Sequence, residues 1–385
     1  MRRRDFLLSL SALLASQWRA TRDWSPLAWA ETLTAPAEAS AILAAAGDTV
    51  LGYNLEAHFD AQLEAGAGRE QLWPLYFSGV AEVLNRADIA LVNLECPFTE
   101  RGVMIPKNFN FRARPELIEI LKAGGIDVVT LANNHTMDYG VVGMEDTFST
   151  LTEADIEYFG AGMTLGLARK PAIVEHQGVT IGFLGYYFQT AADMLEPRAL
   201  FATNTTAGVA GCYVDPRCIR RQVTEDVTAL VPKVDAVIPY FHWGKEGSTV
   251  VQEYQIRLAH LCIDLGCKAV LGAHPHRFQA VEVYRDAPIF YSLGNFVYGG
   301  RKDPQDKLSA IALLCLSKDQ PVTAELVPIQ ITRWPEAPFQ PIVLAEAERN
   351  QALERIAALS AVFPATLPML ESYRKLGPPG IQLLP

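Results

Sequence analysis

A single pattern of hydrophobic and polar positions repeats along the chain from residue 41 onward. A short apolar, β-branched run is followed by polar residues with glycine, and then by a helix-like segment. This alternation is typical of α/β folds, in which helices cover the faces of a sheet. The runs that predict strands are 41–46, 88–92, 127–132, 235–241, 268–271 and 288–293.

Other runs extend the prediction from one sheet to two. Residues 172–174 and 179–184 flank His176-Gln177-Gly178 and predict a hairpin. Residues 308–316 and 322–331 predict two more strands. We therefore expect an α/β fold with two packed sheets and helices outside them.

Helices are predicted between the strands from the residues that begin and end them. Pro115 begins a helix that Gly124-Gly125 ends, and Pro216 begins another that runs toward Leu230. Residues 251–265 have the apolar spacing of a helix, and 344–359 predict a closing helix.

Two segments lack such signals. Residues 189–211 show no clear periodicity, and long loops inside compact domains are often functional lids. The last residues, from Gly377, form a Pro/Gly tail that we expect to be mobile.

The first thirty residues differ in kind from the rest. Arg3-Arg4-Asp5-Phe6-Leu7 looks like a twin-arginine pattern, residues 6–15 are apolar, and Ala28-Trp29-Ala30 has the form of a cleavage site. The apolar core is too short for a permanent membrane anchor. We expect an exported protein, periplasmic or extracytoplasmic; the alternative is an amphipathic beginning of the domain. The predicted division is an export signal at 1–30, a linker at 31–40, one domain at 41–335, and a C-terminal helix and tail at 336–385.

Composition narrows the function classes. The chain has 385 residues, half of them hydrophobic, which is enough for a substantial core. Its net charge of -10, with no basic cluster outside the N-terminus, argues against a nucleic-acid partner. Six cysteines form no C-x-x-C motif; Cys212 and Cys218 are close enough to pair, although free buried thiols are an equal alternative.

The strongest candidate chemistry lies where an apolar run ends in His274-Pro275-His276. Proline excludes a helix there, and in an extended backbone side chains two positions apart project to the same side. Two neutral imidazoles that converge suit a metal ion. The alternative is a polar loop that happens to contain two histidines.

Polar residues follow the other predicted strands in the same way. Because ligands bind at the carboxyl ends of strands in open α/β sheets, we expect these side chains to lie together. Carboxylate, amide and imidazole in one set suit Zn, Mn or Fe better than Ca or Mg alone. Each residue alone has an ordinary explanation, such as a helix cap or an Asx turn. The residues are Asp48, Glu95, Asn134, His135 and His242, in addition to the two histidines above.

The ordered set of motifs resembles the CapA-type capsule-synthesis family, which is linked to poly-γ-glutamate biosynthesis and related to calcineurin-like metallophosphoesterases. This resemblance implies a four-layer αββα sandwich of the metallophosphoesterase type, with the site at the C-terminal ends of the strands. The motifs are Gly47-Asp48, Asn93-Leu94-Glu95, Asn133-Asn134-His135 with Asp138-Tyr139-Gly140, His242-Trp243-Gly244-Lys245-Glu246, Gly272-Ala273-His274-Pro275-His276 and Ser292-Leu293-Gly294-Asn295-Phe296.

The resemblance also implies roles for individual residues. Glu95 corresponds to the bridging carboxylate, and it would hold one metal ion together with Asn134, His242 and His274. Asp48 and His276 would serve a second ion. The histidine usual two positions after the first aspartate is absent, since Val50 occupies that place. The resemblance therefore implies one or two divalent ions, with the second site short of a ligand.

The same resemblance implies that the chain acts as a metal-dependent hydrolase. His135 would protonate the leaving group, and Asp138 would orient His135. Lys107, Arg112 and Asn295 are candidate substrate-binding residues for a phosphoester or an anionic capsule polymer. The alternative is a non-catalytic accessory protein that binds polymer or the membrane proteins of capsule synthesis, with the metal structural or vestigial.

Overall fold

The computed structural model describes residues 39–191, 193, 196–363 and 381–382. The predicted export signal and most of the linker lie outside the described residues, as does most of the C-terminal tail. Among the residues described, no helix combines the length and the apolar character needed to cross a bilayer.

The larger of the two main sheets has nine strands in the order β17-β16-β15-β1-β2-β3-β4, with β14 beside β1 and β18 beside β16. Strands β1 to β4 run parallel, whereas β15 is antiparallel to β1. The strands are β1 (Ser40–Val50), β2 (Ile89–Leu94), β3 (Val128–Thr130), β4 (Glu157–Phe159), β14 (Asn295–Tyr298), β15 (Leu308–Ser317), β16 (Thr323–Gln330), β17 (Ile342–Val343) and β18 (Ile381–Gln382).

The second sheet has seven strands in the order β12-β13-β11-β10-β7-β6, with β9 beside β7. Strands β7, β10, β11 and β13 are parallel. They are β6 (Ala172–His176), β7 (Val179–Gln189), β9 (Gly211–Tyr213), β10 (Ala236–His242), β11 (Val270–Ala273), β12 (Val281–Tyr284) and β13 (Ala287–Phe290); a separate pair consists of β5 (Ala161–Gly162) and β8 (Gly208–Val209).

Helices connect the strands, as the sequence predicts. Asp215 caps the helix at Pro216–Leu230 by accepting hydrogen bonds from the amides of Arg217 and Cys218. The helices are α1 (Asn54–Glu64), α2 (Arg69–Leu72), α3 (Ala81–Leu84), α4 (Ile118–Ala123), α5 (Gly140–Glu153), α6 (Leu165–Ala168), α7 (Pro216–Leu230), α8 (Glu253–Asp264) and α9 (Glu346–Ser360), with 3₁₀ turns at Trp73–Val80, Pro115–Leu117, Arg198–Leu200 and Val231–Lys233.

Alternate residues of the strands belong to different apolar clusters. One cluster lies between the sheets, where Leu43 of β1 and Leu91 of β2 are joined by Ile238 of β10. The intervening residue Ala44 packs with α1 on the opposite face of the first sheet. Phe241 of β10 packs in a third cluster with α7 and α8. The period of two along each strand therefore places a shared core between the sheets and helices on their other faces.

The α/β class and the main strands are confirmed, with shifted boundaries. The strand predicted at 41–46 extends to Val50, and the hairpin at 172–184 forms as β6 and β7. Helices α1 and α5 were not predicted individually. Cys212 and Cys218 form the disulfide that the sequence left open. The tail predicted to be mobile is described only at Ile381–Gln382, which pairs with β16.

An aspartate precedes several of the parallel strands and accepts a backbone hydrogen bond from the neighbouring strand. Asp88, just before β2, accepts a hydrogen bond from the amide of Ile42 in β1 at 2.9 Å. Asp127, before β3, accepts one from Ala90 in β2 at 2.8 Å, and Asp235, before β10, accepts one from Thr180 in β7 at 2.8 Å. Each carboxylate thus accepts a hydrogen bond from an amide near the beginning of the neighbouring strand.

Candidate metal centre

The opposite, carboxyl ends of the same strands carry the predicted ligands. Asp48 lies near the end of β1, Glu95 follows β2, and Asn134 follows β3. His242 is the last residue of β10, and His274 is the first residue after β11. The first sheet therefore supplies oxygen donors and the second supplies imidazoles, and the two sets face each other across the edge of the sandwich.

Four side chains, which we call the first ligand group, converge on one point. His242 Nε2 lies 2.9 Å from Asn134 Oδ1, 2.9 Å from His274 Nδ1 and 3.3 Å from Glu95 Oε1. Metal bonds of about 2.0–2.1 Å place neighbouring ligand atoms about 2.9–3.4 Å apart. The spacing of Glu95, Asn134, His242 and His274 therefore matches a coordination shell.

A second ligand group consists of Asp48, Glu95 and His276. His276 Nδ1 lies 3.1 Å from Asp48 Oδ2 and 3.9 Å from Glu95 Oε2. Glu95 belongs to both groups and presents a different oxygen to each. Its carboxylate is therefore placed to bridge two cations.

Glu95 tests directly whether these residues fit a metal. The residue is fully buried, and neither carboxylate oxygen accepts a hydrogen bond from the described part of the chain. Burial, reinforced by the neighbouring charge of Asp48, raises the pKa of Glu95 well above its usual value. A buried carboxylate without donors is costly unless a cation balances it. The donor set therefore fits a divalent ion.

The histidines are held in the protonation state that metals require. Burial lowers the pKa of His242 and of His274 well below the usual imidazole value, and the charges of neighbouring imidazoles lower both further. Neutral imidazole is the form that binds metal. His276 differs: burial would lower its pKa, but the charge of Glu95 and the hydrogen bond to Asp48 outweigh burial and raise the pKa to about 10.

His135 lies beside the first ligand group and has its own partners. Its Nδ1 is 2.6 Å from Asp138 Oδ2, and its ring centre is 4.3 Å from that of Phe111. Since a carboxylate only accepts hydrogen bonds, Nδ1 donates to Asp138, which leaves Nε2 for another group. Burial lowers the pKa of His135, and Asp138 opposes that effect.

Lys107, a candidate substrate-binding residue, is buried and has partners within the site. Its side chain is 2% exposed, and Nζ lies 2.8 Å from Asp138 Oδ1 and 2.6 Å from the carbonyl oxygen of Asn134. Nζ is also 3.6 Å from Glu196 Oε2. In this arrangement Lys107 fixes the turn that carries His135.

The remaining two candidate substrate residues are separated. Arg112 is exposed, and its guanidinium lies 4.7 Å from the centre of the Tyr139 ring. Asn295 is buried, and its Oδ1 lies 2.9 Å from His276 Nδ1. Asn295 therefore contacts the second ligand group directly.

The turn at His274-Pro275-His276 corrects one step of the sequence argument. The backbone is not extended there, because φ is 101° at His274 and 53° at His276. The two imidazoles consequently serve different ligand groups, with His274 near His242 and His276 near Asp48. Such sparsely populated backbone conformations cost about 1–3 kcal/mol each and cluster at functional sites.

Three residues of the site were not predicted. Asn93 Nδ2 donates to Asp48 Oδ1 at 2.7 Å and lies 3.2 Å from His242 Nδ1, which ties the two ligand groups together. Asn133 donates to Asn93 Oδ1 at 3.0 Å, and Asn134 Nδ2 donates to Glu196 Oε1 at 3.1 Å. Asn93 stands two residues before Glu95 on one strand face, a signal that was available; Glu196 lies in a segment without periodicity and had none.

A comparison with known protein families assigns most of the chain, including the candidate site, to one family. Residues 42–299 match the model of the family described as bacterial capsule synthesis protein PGA_cap, a span that contains every residue of both ligand groups. The chain belongs to the PGA_cap family.

Relatives of this PGA_cap chain carry related names. It is 31% identical over 268 residues to "PGA biosynthesis protein CapA" of Bacillus subtilis, covering 69% of this chain and 67% of that protein. It is 31% identical over 270 residues to a "Probable polyglutamine synthesis accessory protein" of Mycobacterium tuberculosis, covering 67% and 69%. A crystal structure of a hypothetical protein from Thermus thermophilus aligns at 14% identity and a TM-score of 0.41, covering 79% of this chain and 99% of that one; this score is too low to support an inference.

Proposed function

We propose that this PGA_cap protein is an exported, metal-dependent hydrolase of a phosphoester or an anionic capsule polymer. Its fold would be the four-layer αββα sandwich of the metallophosphoesterases. The observation that carries the proposal is Glu95, whose two buried oxygens have no donor among the described residues and face two separate ligand groups. A side chain so placed has a clear use as a bridge between cations.

The residues divide the work between holding cations and moving a proton. Bound divalent ions would lower the pKa of coordinated water and polarise the bond to be broken. His242, His274, Asn134 and Glu95 would hold one ion, of Zn, Mn or Fe, and Asp48 and His276 would take part in holding another. His135 is not among the closely spaced ligand atoms and keeps Nε2 available, so it would protonate the leaving group.

Asp138 and Lys107 support that proton transfer. Asp138 accepts a hydrogen bond from His135 Nδ1 and thereby fixes the orientation of the ring. The positive charge of Lys107 lies against Asp138 in a buried site. Because this charge lowers the pKa of His135, it limits the increase that Asp138 causes. An anionic substrate near Nε2 would favour the imidazolium form, which is the form that can donate.

A second candidate function is a non-catalytic role in polymer synthesis. Val50 stands where the metallophosphoesterases have a histidine, and it is buried in the apolar core. The Mycobacterium tuberculosis relative is named an accessory protein. In this alternative the chain binds an anionic polymer or membrane proteins of capsule synthesis, and its metal ion is structural.

Elemental analysis and a substrate screen decide between the two. Protein purified without chelator should contain a transition metal, and it should hydrolyse a phosphoester or a γ-glutamyl polymer in a reaction that EDTA stops. Absence of bound metal after incubation with Zn, Mn and Fe would contradict the metal centre. Metal without turnover on any substrate, together with polymer binding, would establish the accessory role.

A further inference from the structure

We propose that Asn295 is the missing protein ligand of the second metal position. This inference rests on the proposed metal centre and gives Asn295 a role as a metal ligand in place of the substrate-binding role predicted for it above. The second ligand group without it has one imidazole and two carboxylates, of which Glu95 is shared. A further donor is needed because Val50 has a hydrocarbon side chain, buried in the apolar core, that offers no ligand atom.

The sheet is built so that Asn295 reaches this position. Strand β14 lies beside β1 in parallel register, with Asp48 opposite Asn295. The amide of Asp48 donates to the carbonyl oxygen of Gly294 at 2.9 Å. Gly47 allows this approach, since a Cβ there would lie 1.8 Å from the same carbonyl oxygen. The side chains of Asp48 and Asn295 therefore emerge next to each other at the strand ends.

The side chain of Asn295 then faces the other members of the group. Its Oδ1 lies 2.9 Å from His276 Nδ1, and the same nitrogen is 3.1 Å from Asp48 Oδ2. Both separations fall within the range of 2.9–3.3 Å that His242 Nε2 makes with the other members of the first ligand group. An amide oxygen is a common ligand of hard cations, and Asn134 offers the same atom to the first group.

The assignment makes the two positions chemically different. The first group offers two imidazole nitrogens and two oxygens, whereas the second offers one nitrogen and three oxygens, from Asp48, Glu95 and Asn295. Oxygen-rich sites favour harder ions such as Mn²⁺, and imidazole-rich sites favour Zn²⁺. The second position is therefore expected to be the manganese-selective one.

Metal counting on full-length protein tests the assignment. Metal-depleted wild type should bind two Mn²⁺ per chain in equilibrium dialysis, with the spin-coupled electron paramagnetic resonance signal of a bridged pair. Asn295→Ala should keep one ion, weaken the second by more than about 10-fold, and show the signal of an isolated Mn²⁺. Asn295→Asp should retain both ions because it preserves the oxygen donor.

A matched control is available in Asn54, the first residue of α1, which contacts the segment that follows β14. Asn54 donates to the carbonyl oxygens of Gly299 and Gly300, just after β14, and lies outside both ligand groups. Asn54→Ala should bind two ions, so loss of the second ion in both variants would indicate loop disorder and overturn the ligand role. Unchanged binding of two ions by Asn295→Ala, or a wild type that binds only one, would also overturn it. A wild type that binds none contradicts the proposed function itself.

Discussion

The two ends of the parallel strands carry similar acidic residues in opposite surroundings. At the amino ends, Asp88, Asp127 and Asp235 each accept a backbone hydrogen bond from the adjacent strand. At the carboxyl end, Glu95 accepts none from the described residues. Hydrogen bonds from the amide and hydroxyl of Thr180 lower the pKa of Asp235, whereas burial raises that of Glu95.

This difference separates residues that build the fold from residues that serve the site. A carboxylate with backbone donors stabilises the sheet by itself. A buried carboxylate without donors destabilises the folded chain until a cation arrives. The same strands are thus stabilised at their amino ends, whereas at their carboxyl ends they hold a carboxylate that a bound cation would stabilise.

The largest effect is expected from removing a nitrogen ligand at the carboxyl end. His274→Ala should lose the ion of the first ligand group and reduce turnover to the uncatalysed rate, because Glu95, Asn134 and His242 would leave the site with only one imidazole ligand. Metal content by mass spectrometry, measured with activity, checks this. Full metal content in His274→Ala would show that the first ligand group is not the binding site.

A smaller loss is expected at the neighbouring histidine. His135→Ala should keep its metal while turnover falls by about 10²–10⁴-fold, the range for loss of a general acid. The measurement pairs metal content with kcat on whichever substrate the screen finds. If metal is lost with His135, the residue is a ligand and the assigned roles are wrong.

Stability separates the two ends most directly at Glu95. In EDTA at neutral pH, Glu95→Gln should raise the free energy of unfolding by about 1–3 kcal/mol, because it removes a buried charge that lacks donors. Because folding raises the pKa of Glu95, its carboxylate destabilises the folded state above pH 4.5, the usual pKa, and this destabilisation disappears as pH falls below that value. With saturating metal, the same variant should melt below wild type.

Glu325 provides the control for that experiment. It is also a buried glutamate, but it pairs with Arg86 through both carboxylate oxygens. Glu325→Gln should therefore lower stability in EDTA and in metal alike. An equal loss of stability in Glu95→Gln and Glu325→Gln would mean that the Glu95 carboxylate has a hydrogen-bond donor or a cation in solution, and it would contradict the prediction.

The smallest effect is expected at the amino ends. Asp235→Ala should lower the free energy of unfolding by about 1–2 kcal/mol at neutral pH, with no change in metal content, since Asp235 accepts from both the amide and the hydroxyl of Thr180. Because its pKa is lowered on folding, this contribution is present above the usual value of 3.8 and is lost as pH falls further. Denaturant unfolding across pH measures it, with the exposed Asp319→Ala as the neutral control.

The sequence predicted structure best where a residue type has one dominant conformational or packing preference. Short apolar, β-branched runs followed by polar residues predicted the strands, and Pro216 after Asp215 predicted the beginning of α7. The ligand positions followed from strand ends and from the family resemblance. Their convergence could be expected because parallel strands end at one edge.

It was weakest where tertiary contacts decide a residue's role. Lys107 reads as a free cation in sequence, but the fold places it against Asp138. The sequence around Glu196 contains no motif that indicates a functional role. Only the tertiary structure places this residue beside Asn134. Asn295 was grouped with substrate residues, because only the pairing of β14 with β1 reveals its neighbour Asp48.

The position of β1 at the centre of the first sheet also determines the order in which its two edges can pair during synthesis of the chain. Its partner β2 follows soon after it in the chain, but on its other side Leu43 pairs with Leu314. Until that late segment leaves the ribosome, one edge of β1 is an open template for pairing with another chain. The segment that defines the family, 42–299, ends before β15 begins. A polypeptide trimmed to that segment would keep every residue of both ligand groups yet lack β15, the strand that pairs with residues 40–45 of β1.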